Sequence, residues 1–211
     1  HDILACVQDI FDGGGAFWQD APGGDYPSTP GCDANQDTII DAGDVSCTVL
    51  MIFNGPDGCN GTLHAAGNAG AGLTIATDRT ADAGARVQIP ITLTTGGAAV
   101  TAAAFRLHFD EAHLSFDPTD GNGDGLPDTL AFSLPPLISQ PWITVTAQAG
   151  TLDIFVTELA ATPVAWYDGT FLTVTSRVNV LVGDAPVTTS IIFDQSISPS
   201  LGSATGTSIP V

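Results

Sequence analysis

The segment Asp33-Ala-Asn35-Gln-Asp37-Thr-Ile39-Ile-Asp41-Ala-Gly-Asp44 sets side-chain oxygens at loop positions 1, 3 and 5, a main-chain carbonyl at position 7 and an acid at position 12. Oxygens in that order can surround one Ca²⁺, a hard cation held by carboxylates and carbonyls. Asp33, Asn35, Asp37, the Ile39 carbonyl and Asp44 are therefore expected to bind calcium, with Asp41 bound directly or through water. Ile40, at position 8, is expected to pin the loop to the core. Position 6 is usually Gly, for its positive φ, and here is Thr38. The alternative reading is a polar turn capped by Asp44.

A second segment, Asp120-Gly-Asn122-Gly-Asp124-Gly-Leu126-Pro-Asp128, repeats the spacing with Gly125 at position 6 but with Ala131 at position 12. Asp120, Asn122, Asp124, the Leu126 carbonyl and Asp128 form the expected set. Asp117, Asp110 or Glu111 are further sources of the missing ligand. An Asp/Gly-rich hairpin without metal is the alternative.

Catalytic chemistry finds no comparable pattern. The chain has no Gly-x-Ser-x-Gly, no His-Glu-x-x-His and no Gly-rich phosphate loop. Glu111 and Glu158 are types a glycosidase uses, yet nothing in the sequence sets them around one cleft. His1, with its terminal amine and His64, His108 or His113, could chelate copper; His108 and His113 read instead as structural. The expectation is that the chain is not an enzyme.

Four arginines and no lysine stand against 23 acids, a formal charge of −19. Such a chain repels phosphate backbones and anionic lipid, which excludes nucleic acid as a partner and makes calcium the natural counter-charge. A solubilising or salt-adapted acidic surface is the alternative for acids outside the two loops. No stretch approaches the roughly 18 apolar residues that would cross a bilayer, so membrane insertion is not expected.

The elements that must carry these loops differ between two halves. All four cysteines (Cys6, Cys32, Cys47, Cys59) precede residue 61, and all four arginines follow residue 72. Cysteines in a small acidic segment point to disulfides and so to an oxidising, extracellular or cell-surface location reached by secretion. Zinc is disfavoured because no Cys-x-x-Cys pair occurs.

Asp2–Gly13 aligns with Asp44–Gly55, apolar residues falling at helical spacing in both (Ile3, Val7, Ile10, Phe11; Val45, Val49, Ile52, Phe53). Each copy predicts a short amphipathic helix, and two such helices alone make a thin core that needs metal or disulfide support. Residues 13–30, with Phe17, Trp18 and Tyr26 among Gly, Pro and Asp, read as a loop. Residues 61–72 are small and nearly uncharged and read as a flexible linker, and Asn60-Gly-Thr62 is a glycosylation sequon at Asn60. From Leu73 onward period-two alternation predicts about eight strands: 73–77, 86–93, 102–109, 129–134, 143–147, 152–157, 170–181 and 187–193, with a helical turn at 110–114. Strands at this spacing predict a mostly β fold, an antiparallel sandwich over residues 73–211.

A calcium loop followed by one helix, in duplicate, resembles a dockerin over residues 1–60. The resemblance makes Asp2 the closing acid of a first loop whose remainder lies upstream of His1. It also puts partner-reading positions at Ala42 and Gly43, with His1 at the equivalent place of the first copy. Antiparallel packing of the two helices favours Cys6–Cys59 with Cys32–Cys47 among the three possible pairings. Residues 73–211 resemble a cohesin, the β-sandwich that receives dockerins, through Ala83-Gly-Ala-Arg-Val-Gln-Ile-Pro-Ile91, Phe105-Arg-Leu-His-Phe-Asp-Glu-Ala-His-Leu-Ser-Phe116 and Gly169-Thr-Phe-Leu-Thr-Val-Thr175.

The two resemblances together imply calcium-dependent protein–protein assembly. In one form, the dockerin-like part of one copy enters the cohesin-like part of the next, head to tail into a filament, with Leu50, Met51 and Phe53 as interface residues. In the other, the chain is a cellulosome-type scaffold or adaptor for other cohesin- or dockerin-bearing proteins. The linker reaches only ~40 Å when extended, so a copy closes on itself only if the receptor face lies near Leu73.

Overall fold

A computed structural model describes residues 3–11, 32–37, 39–59, 70–180, 189–194, 196–209 and 211. His1, Asp2, Phe17, Trp18, Tyr26, Thr38, Asn60, His64 and most of the expected linker lie outside the described residues. Two helices, α1 (Ile3–Phe11) and α2 (Ala42–Asn54), precede the strands. These are β1 (Gly72–Ile75), β2 (Arg86–Thr94), β3 (Val100–Phe109), β4 (Leu114–Phe116), β5 (Leu130–Phe132), β6 (Pro141–Gln148), β7 (Thr151–Glu158), β8 (Gly169–Val178), β9 (Ile191–Phe193), β10 (Ser200–Ser203) and β11 (Ser208–Ile209). One sheet runs β1-β2-β8-β4 with β5 also on β8; the other runs β11-β10-β3-β7-β6 with β9 also on β3. Every pairing is antiparallel.

Alternation along β3 explains the layering. Ala103, Phe105, Leu107 and Phe109, with Ile154 of the neighbouring β7, face the other sheet, where they meet Ile91, Leu93, Leu172 and Val174 in the main core. Phe105 makes edge-on contacts with Phe171 (6.4 Å) and Phe193 (5.8 Å). Ala102 and Ala104 face the opposite way, and the helices cover them. Val7, Ile10 and Phe11, at i, i+3 and i+4 on α1, join Ala42 and Val45 of α2 against Ala102, Ala104, Phe155 and Ile197. The helices thus bury their apolar faces on the outer surface of the six-stranded sheet, which adds to the expected disulfide support. In the monomer the first half folds back on its own sandwich.

Helix α2 lies along the β10–β11 hairpin at a distance only glycine permits. A Cβ on Gly202 would run into the Ala42 carbonyl oxygen and Ser46 Oγ. A Cβ on Gly206 would lie 2.6 Å from Cys59 Sγ and 2.8 Å from Cys47 Cα. Ser200 Oγ accepts the Ala42 amide at 3.2 Å. On α1 the anchor is Arg106 of β3, whose Nη2 donates to the Phe11 carbonyl at 3.1 Å. The same guanidinium grips Asp153 of β7 in a fork at 2.5 and 2.8 Å. A bidentate, largely buried pair of this kind fixes orientation, and losing either partner strands a charge.

The disulfides are Cys6–Cys32 and Cys47–Cys59, not the expected Cys6–Cys59 and Cys32–Cys47. Each pair belongs to a different apolar cluster. Cys6 and Cys32 lie in the layer between helices and sheet, whereas Cys47 and Cys59 close a separate cluster with Leu50. That second cluster also takes up part of the expected interface set. Leu50 is buried there and Met51 half-buried against it, which leaves Phe53 exposed beside Ile52. Cys47, Leu50 and Met51 share one helical stripe, and the disulfide claims it.

All eight expected strands have counterparts, the last only over Ile191–Phe193 among the described residues. The turn at 110–114 closes through the Leu114 amide on the Asp110 carbonyl at 2.9 Å. Strands β4, β10 and β11 were not expected. Non-reducing peptide mapping should recover Cys6 with Cys32 and Cys47 with Cys59; Cys6 linked to Cys59 would contradict this fold. Gly202→Ala should lower stability by about 1–3 kcal/mol through overpacking, read as a lower unfolding midpoint with loss of helical circular dichroism, and an unchanged midpoint would contradict the close approach.

Candidate functional site

The first loop sits between Cys32 and the N-terminus of α2. Carboxylate oxygens of Asp33, Asp37 and Asp44, all buried, lie within 4.8 Å of one another. A ladder of amides shapes the loop. The Asp37 amide donates to Asp33 Oδ1 (3.0 Å) and Asn35 Oδ1 (3.1 Å), and the Ile39 amide donates to Asp37 Oδ1 (2.9 Å). Asn35 Nδ2 donates to Asp37 Oδ2 at 3.2 Å. Gln36 takes φ +60°, a left-handed turn inside the loop. Ile40 packs partly under the helices, as expected, while the Ile39 side chain is exposed.

Asp44 closes the loop from the first turn of α2. Its Oδ1 accepts the Asn35 amide at 3.1 Å and its Oδ2 the Asp41 amide at 2.9 Å. Asp41 is the N-cap, its Oδ1 accepting the Gly43 amide at 2.7 Å. Asp41 therefore stands beside the three-carboxylate cluster, capping the helix. Burial pushes the Asp44 carboxyl up to about 8, against the lowering effect of the Asp41 and Asn35 amides. Burial likewise raises Asp41 to about 6, opposed by the Ser208 hydroxyl and the Gly43 amide. Carboxylates crowded in this way lack positive charge, and the donor set of hard oxygens fits a divalent cation such as Ca²⁺.

One residue of this site carried no sequence signal. Ser208, on β11, lies in the loop: its Oγ is 2.8 Å from Asp37 Oδ2 and 2.7 Å from Asp41 Oδ1, and it accepts Asn35 Nδ2 at 3.2 Å. It comes from the far end of the chain, and Ser in a Gly/Ser/Thr-rich tail has no pattern to mark it.

The second loop joins β4 to β5 on the other sheet and repeats the ladder bond for bond. Asp124 N donates to Asp120 Oδ1 (3.2 Å) and Asn122 Oδ1 (2.9 Å), Leu126 N to Asp124 Oδ1 (2.8 Å), and Asn122 Nδ2 to Asp124 Oδ2 (3.1 Å). Asp128 Oδ2 accepts the Gly121 amide across the loop at 3.0 Å. The position-12 residue, Ala131, is in β5 opposite Thr173. This loop is solvent-exposed, and among the described residues only the first loop brings three acids within 4.8 Å of one another. Asp117 accepts from Thr119, and Asp110 from His113 (2.6 Å) and the Ala112 amide. Those bonds hold both carboxyls below the usual range: at Asp110 the Ala112 amide leads, and at Asp117 the Thr119 hydroxyl.

The residues weighed for catalysis are separately employed. Glu158 is buried, accepting the Val164 amide at 2.7 Å and the Ser139 amide at 3.3 Å, so it pins two loops to the end of β7. Glu111 is exposed, and its carbonyl accepts Asn179 Nδ2 at 2.8 Å. His108 alternates outward on β3.

Residues 72–209 match the family model described as the cohesin domain. The chain belongs to the cohesin family. The match opens on the first residue of β1 and closes on the last of β11, with both helices outside it. No curated protein matches the chain. Similar solved structures include the sixth cohesin of scaffoldin B from Acetivibrio cellulolyticus, solved in complex with a Cel5 dockerin, at 16% identity over 67% of this chain and 92% of that one, TM-score 0.48. A type II cohesin module from an adaptor scaffoldin of the same organism shows 16% identity over 66% and 82%, TM-score 0.49. A cohesin module of a family 33 glycoside hydrolase from Clostridium perfringens shows 10% identity over 66% and 88%, TM-score 0.45. Cohesin domains are non-catalytic protein-binding modules, so this chain is not an enzyme.

Proposed function

We propose that this cohesin is an extracellular, calcium-dependent assembly protein whose helical segment acts as a dockerin-like donor and exchanges between copies, joining them head to tail. The observation that carries this reading is the seat of the helices on the six-stranded sheet, where Val7, Ile10, Phe11 and Val45 cover Ala102, Ala104 and Phe155. A contact that a chain makes with itself can form between chains with the same side chains, which is why exchange of an element is a low-cost route to oligomers. Donor and receptor surfaces are unlike, so exchange without closure gives an open filament. The adaptor reading, in which other dockerin- or cohesin-bearing proteins bind, needs the sheet face cleared of these helices first.

Calcium enters through the first loop. Asp33, Asn35, Asp37, the Ile39 carbonyl and Asp44 would hold the ion, and its charge would offset the buried carboxylates that otherwise strain the start of α2. The second loop, with Asp120, Asn122, Asp124, the Leu126 carbonyl and Asp128, would hold a separate structural ion on the sandwich. The two disulfides agree with an oxidising location outside the cell, and among the described residues no helix is long and apolar enough to cross a membrane.

Calorimetric titration should find two calcium sites in the wild type, with Asp37→Ala removing the tighter one and Asp124→Ala the other. Equal binding by wild type and Asp37→Ala would refute the first-loop assignment. Assembly is read by cross-linking. Asn54 Nδ2 donates to the Ala161 carbonyl at 2.9 Å across the helix–sandwich contact. Cysteines placed at both positions and joined by a short bismaleimide should give a ladder of covalent multimers that grows with protein concentration in calcium. Cross-linked monomer alone, from micromolar to millimolar protein, would eliminate exchange between copies.

A further inference from the structure

We infer that Ser208 is a positioning residue of the first calcium loop, supplied by the sandwich, and that it makes cation binding and seating of the helices one linked equilibrium. The inference rests on the reading that the first loop binds calcium. Ser208 touches three loop residues at once: its hydroxyl lies 2.8 Å from Asp37 Oδ2, 2.7 Å from Asp41 Oδ1 and 3.2 Å from Asn35 Nδ2. Asn35 and Asp37 stand at ligand positions 3 and 5, and Asp41 caps the helix that carries the position-12 acid, Asp44. One hydroxyl on β11 therefore orients two ligands directly and a third through its helix.

The hydroxyl carries one proton and faces two carboxylate oxygens, so it satisfies only one of them by donation. A cation held among Asp33, Asp37 and Asp44 would draw electron density from Asp37 and leave the hydroxyl proton to Asp41, the residue that caps the helix. Outer-shell hydrogen bonds of this kind fix ligand orientation and commonly change metal affinity by about 10–100-fold when removed. Room for the hydroxyl is made by Gly43: a Cβ there would lie 2.5 Å from Ser208 Oγ and 2.6 Å from its amide nitrogen. Loop, helix start and terminal strand therefore meet at a single point.

Reciprocity follows from linkage. If seating the helices on the sandwich raises calcium affinity through Ser208, calcium must strengthen the seating by the same factor. In a head-to-tail assembly the Ser208 that completes each loop would belong to the neighbouring copy, so a free helical segment binds calcium weakly and an engaged one tightly. The assembly becomes responsive to calcium without any hinge.

The test uses the full chain in an Asp124→Ala background, so that calcium is taken up by the first loop alone. Ser208→Ala removes the hydroxyl, and Gly43→Ala keeps it but displaces it. Both should weaken calcium binding about 10–100-fold by calorimetry and shrink the gain in unfolding midpoint between chelator and calcium. A Ser208 that merely packed would lower the midpoint equally with chelator and with calcium and leave affinity unchanged. That result in either folded variant overturns the inference while leaving the calcium loop in place. Absence of calcium binding in the Asp124→Ala parent removes instead the reading on which it rests.

Discussion

The approach of α2 to the β10–β11 hairpin governs what the rest of the chain can do. Gly202, Gly206 and Gly43 remove the side chains that would hold helix and hairpin apart, and the gap closes to main-chain contact. Everything else at this junction depends on that distance. The Ala42 amide finds Ser200, the Cys47–Cys59 disulfide rests on the turn at Gly206, and Ser208 reaches the loop ahead of the helix. A larger side chain at any of the three would lift the helix and separate the loop from the strand. The domain thus couples an acidic segment to a β-sandwich through its smallest residues.

The same economy explains what the sequence shows and what it hides. Both loops were legible as segments because oxygen-bearing side chains recur at alternate positions within a dozen residues, and the same ladder of amides closes on them in each. The long strands were legible for a similar reason: β2, β3, β7 and β8 alternate or run apolar over eight to ten residues. Strands β10 and β11 were hidden because a helix covers them, and the Gly and Ser that let it approach are residues a strand signal penalises. Alanines 102 and 104 gave the same false neutrality, since on a pattern they read as weak strand formers and in the fold they are the floor beneath α1 and α2.

The disulfide pairing shows where the local argument ran out. Helical spacing correctly located an apolar stripe on each helix, but the antiparallel pair was expected to bury those stripes against each other. The sheet competes for them, so the stripe of α1 is shared between Ala42 and Val45 of α2 and Ala102, Ala104 and Phe155 of the sheet. Helix α2 then divides its surface, with Val45 facing the sheet and Cys47, Leu50 and Met51 facing the segment that returns to Cys59. The cysteines follow the clusters they stand in. No count of spacings along the chain carries that information, because it depends on a surface contributed by residues far along the chain, such as Ala102, Phe155 and Ile197. The cohesin match over residues 72–209 covers the sandwich and leaves the helices outside it.

The two ends of the six-stranded sheet are unequal, and this has a consequence for crowding. At one side β11 is only two residues long; at the other β6 runs for eight residues, bonded to β7 along its whole length and, among the described residues, to nothing else. A free strand margin is a template for further strands, which folded proteins commonly blunt with lysine, proline or a bulge. Pro141 protects the first position of β6, and no charged residue stands among the seven that follow. In a chain without lysine, the −19 charge takes over the gatekeeper's task by keeping copies apart at long range. Concentrated salt screens that repulsion and would leave the spacing between copies to the side chains of β6 alone.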